Sequence, residues 1–171
     1  MNIFNIRKTF EMKRAKGWPE VYFCIDLHGT IIPSGKDTND TTDEKAMYPY
    51  AQEVLQYLSS RKDIILILWT STPQPRLNQA WGWFNKMGIN FKYVNENPHA
   101  KDTARSSFKE KFYFNVLLDD RAGFSPEDGD WLLIAKELEN ATGDSIIKWN
   151  NQSKSHLELA YANMIKNINL P

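Results

Sequence analysis

The sequence contains few of the residues that cross-link small domains. Its 171 residues include one cysteine and three histidines, so no disulfide bond can form within the chain. A chain of this length buries roughly two thirds of the surface that its unfolded form exposes, and it needs neither disulfides nor a structural metal to fold. Its composition, 42% apolar and 25% charged residues, predicts one globular domain.

A net charge and long apolar runs are also absent. Lys plus Arg and Asp plus Glu each total 21, so no overall field attracts nucleic acid or an anionic membrane. The longest apolar stretches, 21–27 and 64–69, are much shorter than the roughly 20 residues of a membrane span. Cys24 lies in the first stretch, where a buried, inert thiol is expected. We therefore expect a cytoplasmic protein without a membrane partner; a nucleic-acid partner stays open, but the charge does not support it.

Apolar periodicity predicts that strands alternate with helices along the chain. Runs rich in β-branched and aromatic residues predict strands over 21–25, 64–69, 91–94 and 112–118, and 146–149 could form a last one. Helical spacing predicts helices over 2–16, 50–58, 77–87, 131–139 and 157–168, and the polar stretch 33–44 predicts an exposed loop. This order predicts an α/β fold, a Rossmann-like parallel sheet with helices on both faces. The predicted domains are an N-terminal arm over 1–19, a core over 20–150, and a C-terminal helix over 151–171 that packs on the core.

Polar residues follow the predicted strands at one edge of the sheet. Asp26 ends the first strand, Thr70 follows the second, and Asp119 and Asp120 follow the fourth. In parallel sheets, ligands bind outside the carboxyl ends of the strands. Three carboxylates that converge there repel one another unless a cation compensates, and an oxygen-rich site of this kind suits Mg²⁺. The sequence therefore predicts a magnesium and phosphate site, with a lysine near the fourth strand, Lys111 or Lys109, as a further cation.

The order of these residues resembles the haloacid dehalogenase superfamily. Residues 23–32, Phe-Cys-Ile-Asp-Leu-His-Gly-Thr-Ile-Ile, are similar to its first motif, an apolar strand followed by Asp-x-Asp-Gly-Thr. Residues 66–70 resemble the second motif, Lys111 is placed like the third-motif lysine, and residues 116–120 resemble the acidic fourth motif. The resemblance covers about residues 20 to 125, with all four motifs in order.

The resemblance implies a Mg²⁺-dependent phosphatase that forms an aspartyl-phosphate intermediate. It implies that Asp26 is the nucleophile, and that Thr70 and Lys111 hold phosphate oxygens. The implied metal ligands are Asp26, the main-chain carbonyl of His28, and one of Asp119 and Asp120. Further residues are predicted to bind substrate: Gly29, Thr30, Ser71 and Arg121. Arg121 could instead neutralise the acidic pair.

Position 28 departs from the family pattern. His28 stands where phosphatases of this superfamily have a second aspartate, which protonates the leaving group and later deprotonates water. Imidazole has an ordinary pKa of about 6.5 and can do acid and base work near neutral pH. His28 is therefore either a substitute acid and base or the mark of a phosphate-binding or regulatory protein with weak or no turnover. A third class, the phospho-accepting receiver domain, is disfavoured because its paired acids follow the first strand rather than the last.

The two places where superfamily members carry a cap domain are short in this sequence. The stretch 33–44 lies in the first place, and one helix and one short strand fill the second. Neither is large enough for a domain with its own core. We therefore expect an open site without a cap domain and a phosphorylated substrate that could be large.

Overall fold

The computed structural model describes residues 5–34, 47–98, 102, 107–108 and 111–168. Helices and strands alternate over most of this chain. The helices are α1 (Ile6–Lys16), α2 (Ala51–Ser60), α3 (Gln74–Lys86), α4 (Asp130–Thr142) and α5 (Asn151–Ile168). The strands are β1 (Val21–Asp26), β2 (Ile64–Trp69), β3 (Tyr93–Val94) and β4 (Val116–Leu118), and two short 3₁₀ helices, Asp120–Ala122 and Pro126–Asp128, follow β4.

The four strands form one parallel sheet in the order β3-β2-β1-β4. The chain therefore has the predicted α/β, Rossmann-like architecture. β1 and β2 pair along their full length, from Val21 beside Ile64 to Asp26 beside Trp69. Because all strands run the same way, the residues that follow β1, β2 and β4 meet at one edge of the sheet.

The two faces of the sheet are covered differently. One face carries Phe23, Leu66 and Leu118, which belong to a core with the apolar sides of the helices. The other face carries Tyr22, whose ring lies 5.1 Å from that of Tyr113 in the non-helical stretch before β4. On this second face, the described ring contacts come from an aromatic loop rather than from the helix that the alternation predicts.

The fourth strand is shorter than its apolar pattern predicts. β4 begins at Val116, whereas the sequence predicts a strand from residue 112. The Asn115 side chain accepts a hydrogen bond from the main-chain N–H of Tyr22 at 2.8 Å, and the Asn97 side chain accepts one from Tyr113 N–H at 2.9 Å. These amides take hydrogen bonds that a longer strand would make with its neighbour.

The stretch 146–149, which could have formed a last strand, is not a strand. Its main-chain N–H groups at Ile146 and Ile147 donate to the Glu139 carboxylate of α4, at 2.9 Å and 3.2 Å. The Trp149 indole donates to the same carboxylate at 2.9 Å. The partly buried Glu139 side chain thus takes hydrogen bonds that a neighbouring strand would otherwise take.

The terminal helices pack against α4. Arg7 of α1 forms an ion pair with Glu137 of α4 at 3.1 Å, and Arg14 donates to the Ala141 carbonyl at 3.1 Å. Ile6 and Phe10 of α1 are buried in the common core. None of the helices in the described part of the chain has both the length and the apolar character that crossing a bilayer requires.

Candidate active site

A cavity of about 490 Å³ lies at the carboxyl edge of the sheet. Most of the residues predicted for the site line it. They are Asp26, His28, Thr70, Ser71, Asp119, Asp120 and Arg121, together with three that the sequence patterns did not indicate, Ser34, Trp69 and Asn95. Aspartates from the ends of two paired strands therefore share one cavity with a threonine from a third.

A tight loop after β1 brings the two acidic segments together. The N–H of Gly29 donates to the Ile32 carbonyl at 2.7 Å, and Gly29 has a φ of +86°. A Cβ atom at position 29 would lie 2.6 Å from a carboxylate oxygen of Asp120. Glycine is therefore required here both for its backbone conformation and because Asp120 packs against it.

Thr30 and Gly29 hold the site together rather than line it. Thr30 is completely buried, and its hydroxyl accepts a hydrogen bond from the N–H of Asp120 at 3.0 Å. Its carbonyl accepts one from the Trp131 indole at 2.8 Å. The prediction that these two residues contact substrate is therefore corrected, because Thr30 is inaccessible and its hydroxyl already holds the loop of Asp120.

The Asp26 carboxyl has an unusual pKa. Burial is the main cause that raises the pKa of Asp26 to about 6. The N–H of Leu27 and the charge of Arg121 act against this rise, whereas the carboxylates of Asp119 and Asp120 add to it. The three aspartates therefore interact electrostatically, and positive charge brought among them would stabilise the ionised form of Asp26.

Asp119 and Asp120 occupy different positions within the acidic pair. One Asp119 carboxylate oxygen accepts a hydrogen bond from the N–H of Arg121 at 2.8 Å, which caps the 3₁₀ helix that follows β4. Asp120 lies against Gly29, on the side of the loop after β1. Both carboxylates line the cavity, so either can contribute an oxygen ligand there.

Thr70 is held at the end of β2 by a side chain that the sequence did not single out. The Asn95 amide accepts a hydrogen bond from the N–H of Thr70 at 2.7 Å and donates to its carbonyl at 2.6 Å. Asn95 adopts a left-handed conformation with a φ of +50°. This paired contact fixes the backbone of Thr70 at the wall of the cavity.

A chain of hydroxyl groups connects Thr70 with His28. The Thr70 and Thr72 hydroxyls are 2.8 Å apart, and the Thr72 hydroxyl lies 3.2 Å from Nδ1 of His28. Burial, and after it the charge of Arg76, lowers the pKa of His28. The lowered pKa favours the neutral form of His28, and the contact with Thr72 orients its ring.

The predicted lysine does not lie in the cavity. Lys111 is exposed and is not among the described lining residues; its carbonyl accepts a hydrogen bond from the Asn97 amide at 3.1 Å. The other candidate, Lys109, falls outside the described residues. Among the described residues of the lining, Arg121 is the one with a permanently cationic side chain. The predicted role of Lys111 in holding phosphate is therefore not supported by the described lining of the cavity.

Cys24 is buried as predicted, beneath the site. Burial raises the pKa of its thiol to about 12, and the charges of Asp119 and Asp26 contribute to this rise. A thiol in this state is not a nucleophile near neutral pH.

No known protein family matches the chain, and no curated protein matches its sequence. Among solved structures, the chain is similar to a conserved protein from Bacteroides thetaiotaomicron, with 22% sequence identity and a TM-score of 0.49. The similarity covers 71% of this chain and 91% of the other. A likeness of this extent says nothing about activity.

Proposed function

We propose that this chain is a Mg²⁺-dependent phosphoryl hydrolase of the haloacid dehalogenase type. It would transfer the phosphoryl group of a monoester to Asp26 and then to water. The observation that supports this most is the convergence of Asp26, Asp119 and Asp120 on one cavity, at the ends of two paired strands. Among the described lining residues, only Arg121 offers those three carboxylates a permanent positive charge.

The donor set fits a magnesium ion. Carboxylate oxygens are its preferred protein ligands, and it keeps several waters when bound. Within the described part of the chain, no three side chains of His, Cys, Asp or Glu form a metal-binding group by themselves. The ion would accordingly be held by Asp26, by Asp119 or Asp120, and by oxygens of the main chain and of solvent. When bound, it supplies positive charge that offsets the repulsion between a carboxylate nucleophile and an anionic phosphate.

Each of the lining side chains has a separate role in the proposed reaction. An Asp26 oxygen attacks phosphorus while the bond to the ester oxygen breaks, and the electron pair leaves with that oxygen. The hydroxyls of Thr70 and Ser71 and the guanidinium of Arg121 bind the remaining phosphate oxygens. Water then hydrolyses the aspartyl phosphate, and His28, neutral near pH 7, accepts a proton from that water.

A phosphate-binding protein without turnover is the second candidate. The lowered pKa of His28 favours it, because a neutral imidazole is a weak proton donor to a leaving group. Such a protein would bind phosphate at the same cavity, and a phosphoryl group transferred to Asp26 would persist.

Hydrolysis of a generic aryl phosphate, with Mg²⁺ and with excess chelator, tests the proposal. We expect Mg²⁺-dependent turnover by the natural chain and none by Asp26→Asn. Intact-mass measurement on the same samples separates the two candidates, since a stable phosphoryl adduct without turnover identifies the binding protein. The absence of both turnover and an adduct would contradict both candidates.

A further inference from the structure

Trp69 is exposed at the end of an otherwise buried strand. The first five residues of β2 are buried, whereas Trp69 keeps 40% of its surface exposed. Its strand partner is Asp26. Paired residues on adjacent parallel strands lie about 5 Å apart and share a face of the sheet, so the indole lies on the side of the sheet where Asp26 meets the cavity.

Two phenylalanine side chains outside the described lining of the cavity form an aromatic row beside the indole. The ring of Phe112 lies 4.5 Å from that of Trp69 at an angle of 57°, and Phe114 follows at 6.4 Å from Phe112. Contacts of this kind fix the orientation of an aromatic side chain. The exposed part of Trp69 is thus a supported surface and not a freely rotating side chain.

Trp69 is the one large apolar side chain among the described residues that line the cavity. The other described lining residues are charged, hydroxylic or amide side chains, which suit a phosphate and a cation, and the imidazole of His28. The organic part of a phosphate ester gains little apolar contact from these side chains. Next to Asp26, the apolar surface available to it is the exposed indole.

We propose that Trp69 forms the leaving-group subsite and selects phosphate esters whose ester oxygen is attached to an aromatic ring. This inference rests on the proposed function and names its substrate class. Because Trp69 lines the same cavity as Asp26, a ring attached directly to the ester oxygen stays within that cavity and can stack on the indole. As Asp26 forms its bond to phosphorus, the bond from phosphorus to the phenolic oxygen breaks. The phenolate leaves with the electron pair and takes its proton from solvent.

The kinetic test compares phenyl phosphate with cyclohexyl phosphate for the natural chain, Trp69→Ala and Trp69→Phe. We expect Trp69→Ala to lower kcat/KM for phenyl phosphate about five- to tenfold and to lower the value for cyclohexyl phosphate by a smaller factor, because cyclohexyl loses apolar contact but no ring stacking. Trp69→Phe should restore most of the loss. Equal losses for both esters would overturn the inference, as would a loss that Phe does not restore.

Trp81→Ala is the matched control, because Trp81 belongs to α3 and lines a different cavity. It should leave the ratio of the two esters unchanged. Nucleoside 5′-monophosphates are a further group of test substrates. Their aromatic base lies several bonds from the phosphate, so they test whether the ring must be attached directly to the ester oxygen. A preference for these over phenyl phosphate, lost in Trp69→Ala, would overturn the direct attachment of the ring.

Binding measurements keep the inference separate from the proposed hydrolysis. Phenylphosphonate and methylphosphonate carry a carbon–phosphorus bond in place of the ester bond and are not hydrolysed, so their affinities in the presence of Mg²⁺ can be measured by calorimetry. We expect the natural chain to favour phenylphosphonate about five- to tenfold and Trp69→Ala to lose this preference. If the preference holds without turnover, hydrolysis fails and the aromatic subsite stands. Turnover with equal affinities overturns the subsite alone.

Discussion

The two ends of the parallel sheet carry acidic residues in opposite electrostatic states. Asp63, which directly precedes β2, has a lowered pKa: burial raises it, but hydrogen bonds and charges of Arg61 and Lys13 outweigh that rise. Asp26, at the carboxyl end of β1, has its pKa raised to about 6, mainly by burial. The same residue type is thus stabilised as an anion at one end and destabilised at the other.

In the cluster around Asp63, the acidic side chains form ion pairs with basic side chains of the same cluster. Arg61 binds both carboxylate oxygens of Asp63, at 2.9 Å and 3.0 Å, and reaches Asp144 at 2.6 Å. Lys13 of α1 lies 3.3 Å from the same Asp63 carboxylate. Each acid therefore has a cation, and the cluster links α1, α2 and β2 without an additional ligand.

The cluster around Asp26 lacks that balance. Three aspartates meet one arginine and a neutral imidazole among the described lining residues. Charges that a fold leaves without partners in a cavity reduce its stability, so they favour a bound cation. The contrast supports assigning the amino end of the sheet to stability and the carboxyl end to chemistry.

The largest expected effect is the loss of activity in Asp26→Asn. The amide keeps the shape of the side chain but lacks the nucleophilic charge, so turnover should fall on the order of 10⁴-fold or more. Initial rates with an aryl phosphate measure this, and circular dichroism verifies the fold. Asp63→Asn, the matched change at the other end of the sheet, should keep full turnover. Comparable losses in both variants would remove the distinction between the two ends.

The next effect concerns His28. His28→Ala should lower turnover by roughly 10²-fold, the usual contribution of a positioned base. His28→Asp should preserve or raise it, because a carboxyl group can serve as both acid and base. Rates with a series of aryl phosphates, whose phenol leaving groups differ in pKa, measure the difference. Without a good acid, the rate of the enzyme depends strongly on the pKa of the leaving group. Equal, slow rates in the natural chain and His28→Ala would instead indicate a binding protein.

The sequence predicted the frame of the site because apolar runs and the residues that end them are local features. The uninterrupted runs of β1 and β2 predicted Asp26 and Thr70 at one edge, and both line the cavity. β4 was predicted too long, because no local pattern shows that Asn97 and Asn115 side chains take main-chain hydrogen bonds.

Other site residues depend on pairings that sequence spacing does not contain. Trp69 was interpreted as one more apolar strand residue, and its exposure follows from its pairing with Asp26. Asn95 directly follows β3, so the rule that found Asp26 and Thr70 could also have found it. Thr72 becomes relevant only through its contact with His28, which lies 44 positions away.

A smaller effect is expected on the requirement for magnesium. Asp120→Asn removes one negative oxygen from the cavity and should raise the Mg²⁺ concentration at half-maximal activity about tenfold. Asp119→Asn, measured in the same way, is the comparison variant, and the larger shift identifies the metal ligand. Full activity of both variants in excess chelator would contradict a metal-dependent reaction.

The smallest expected effect is the destabilisation caused by Asp63→Asn. The Asp63 side chain is 28% exposed, and its ion pairs with Arg61 and Lys13 should contribute about 1 kcal/mol to the free energy of unfolding at pH 7. Because the pKa of Asp63 is lower in the folded state, that contribution is present above its unfolded pKa. It is lost as the pH falls through the folded value. Urea unfolding at neutral and strongly acidic pH should therefore show the variant less stable at neutral pH and equal to the natural chain in acid. A difference that persists in acid would mean that Asp63 acts through packing and not through its charge.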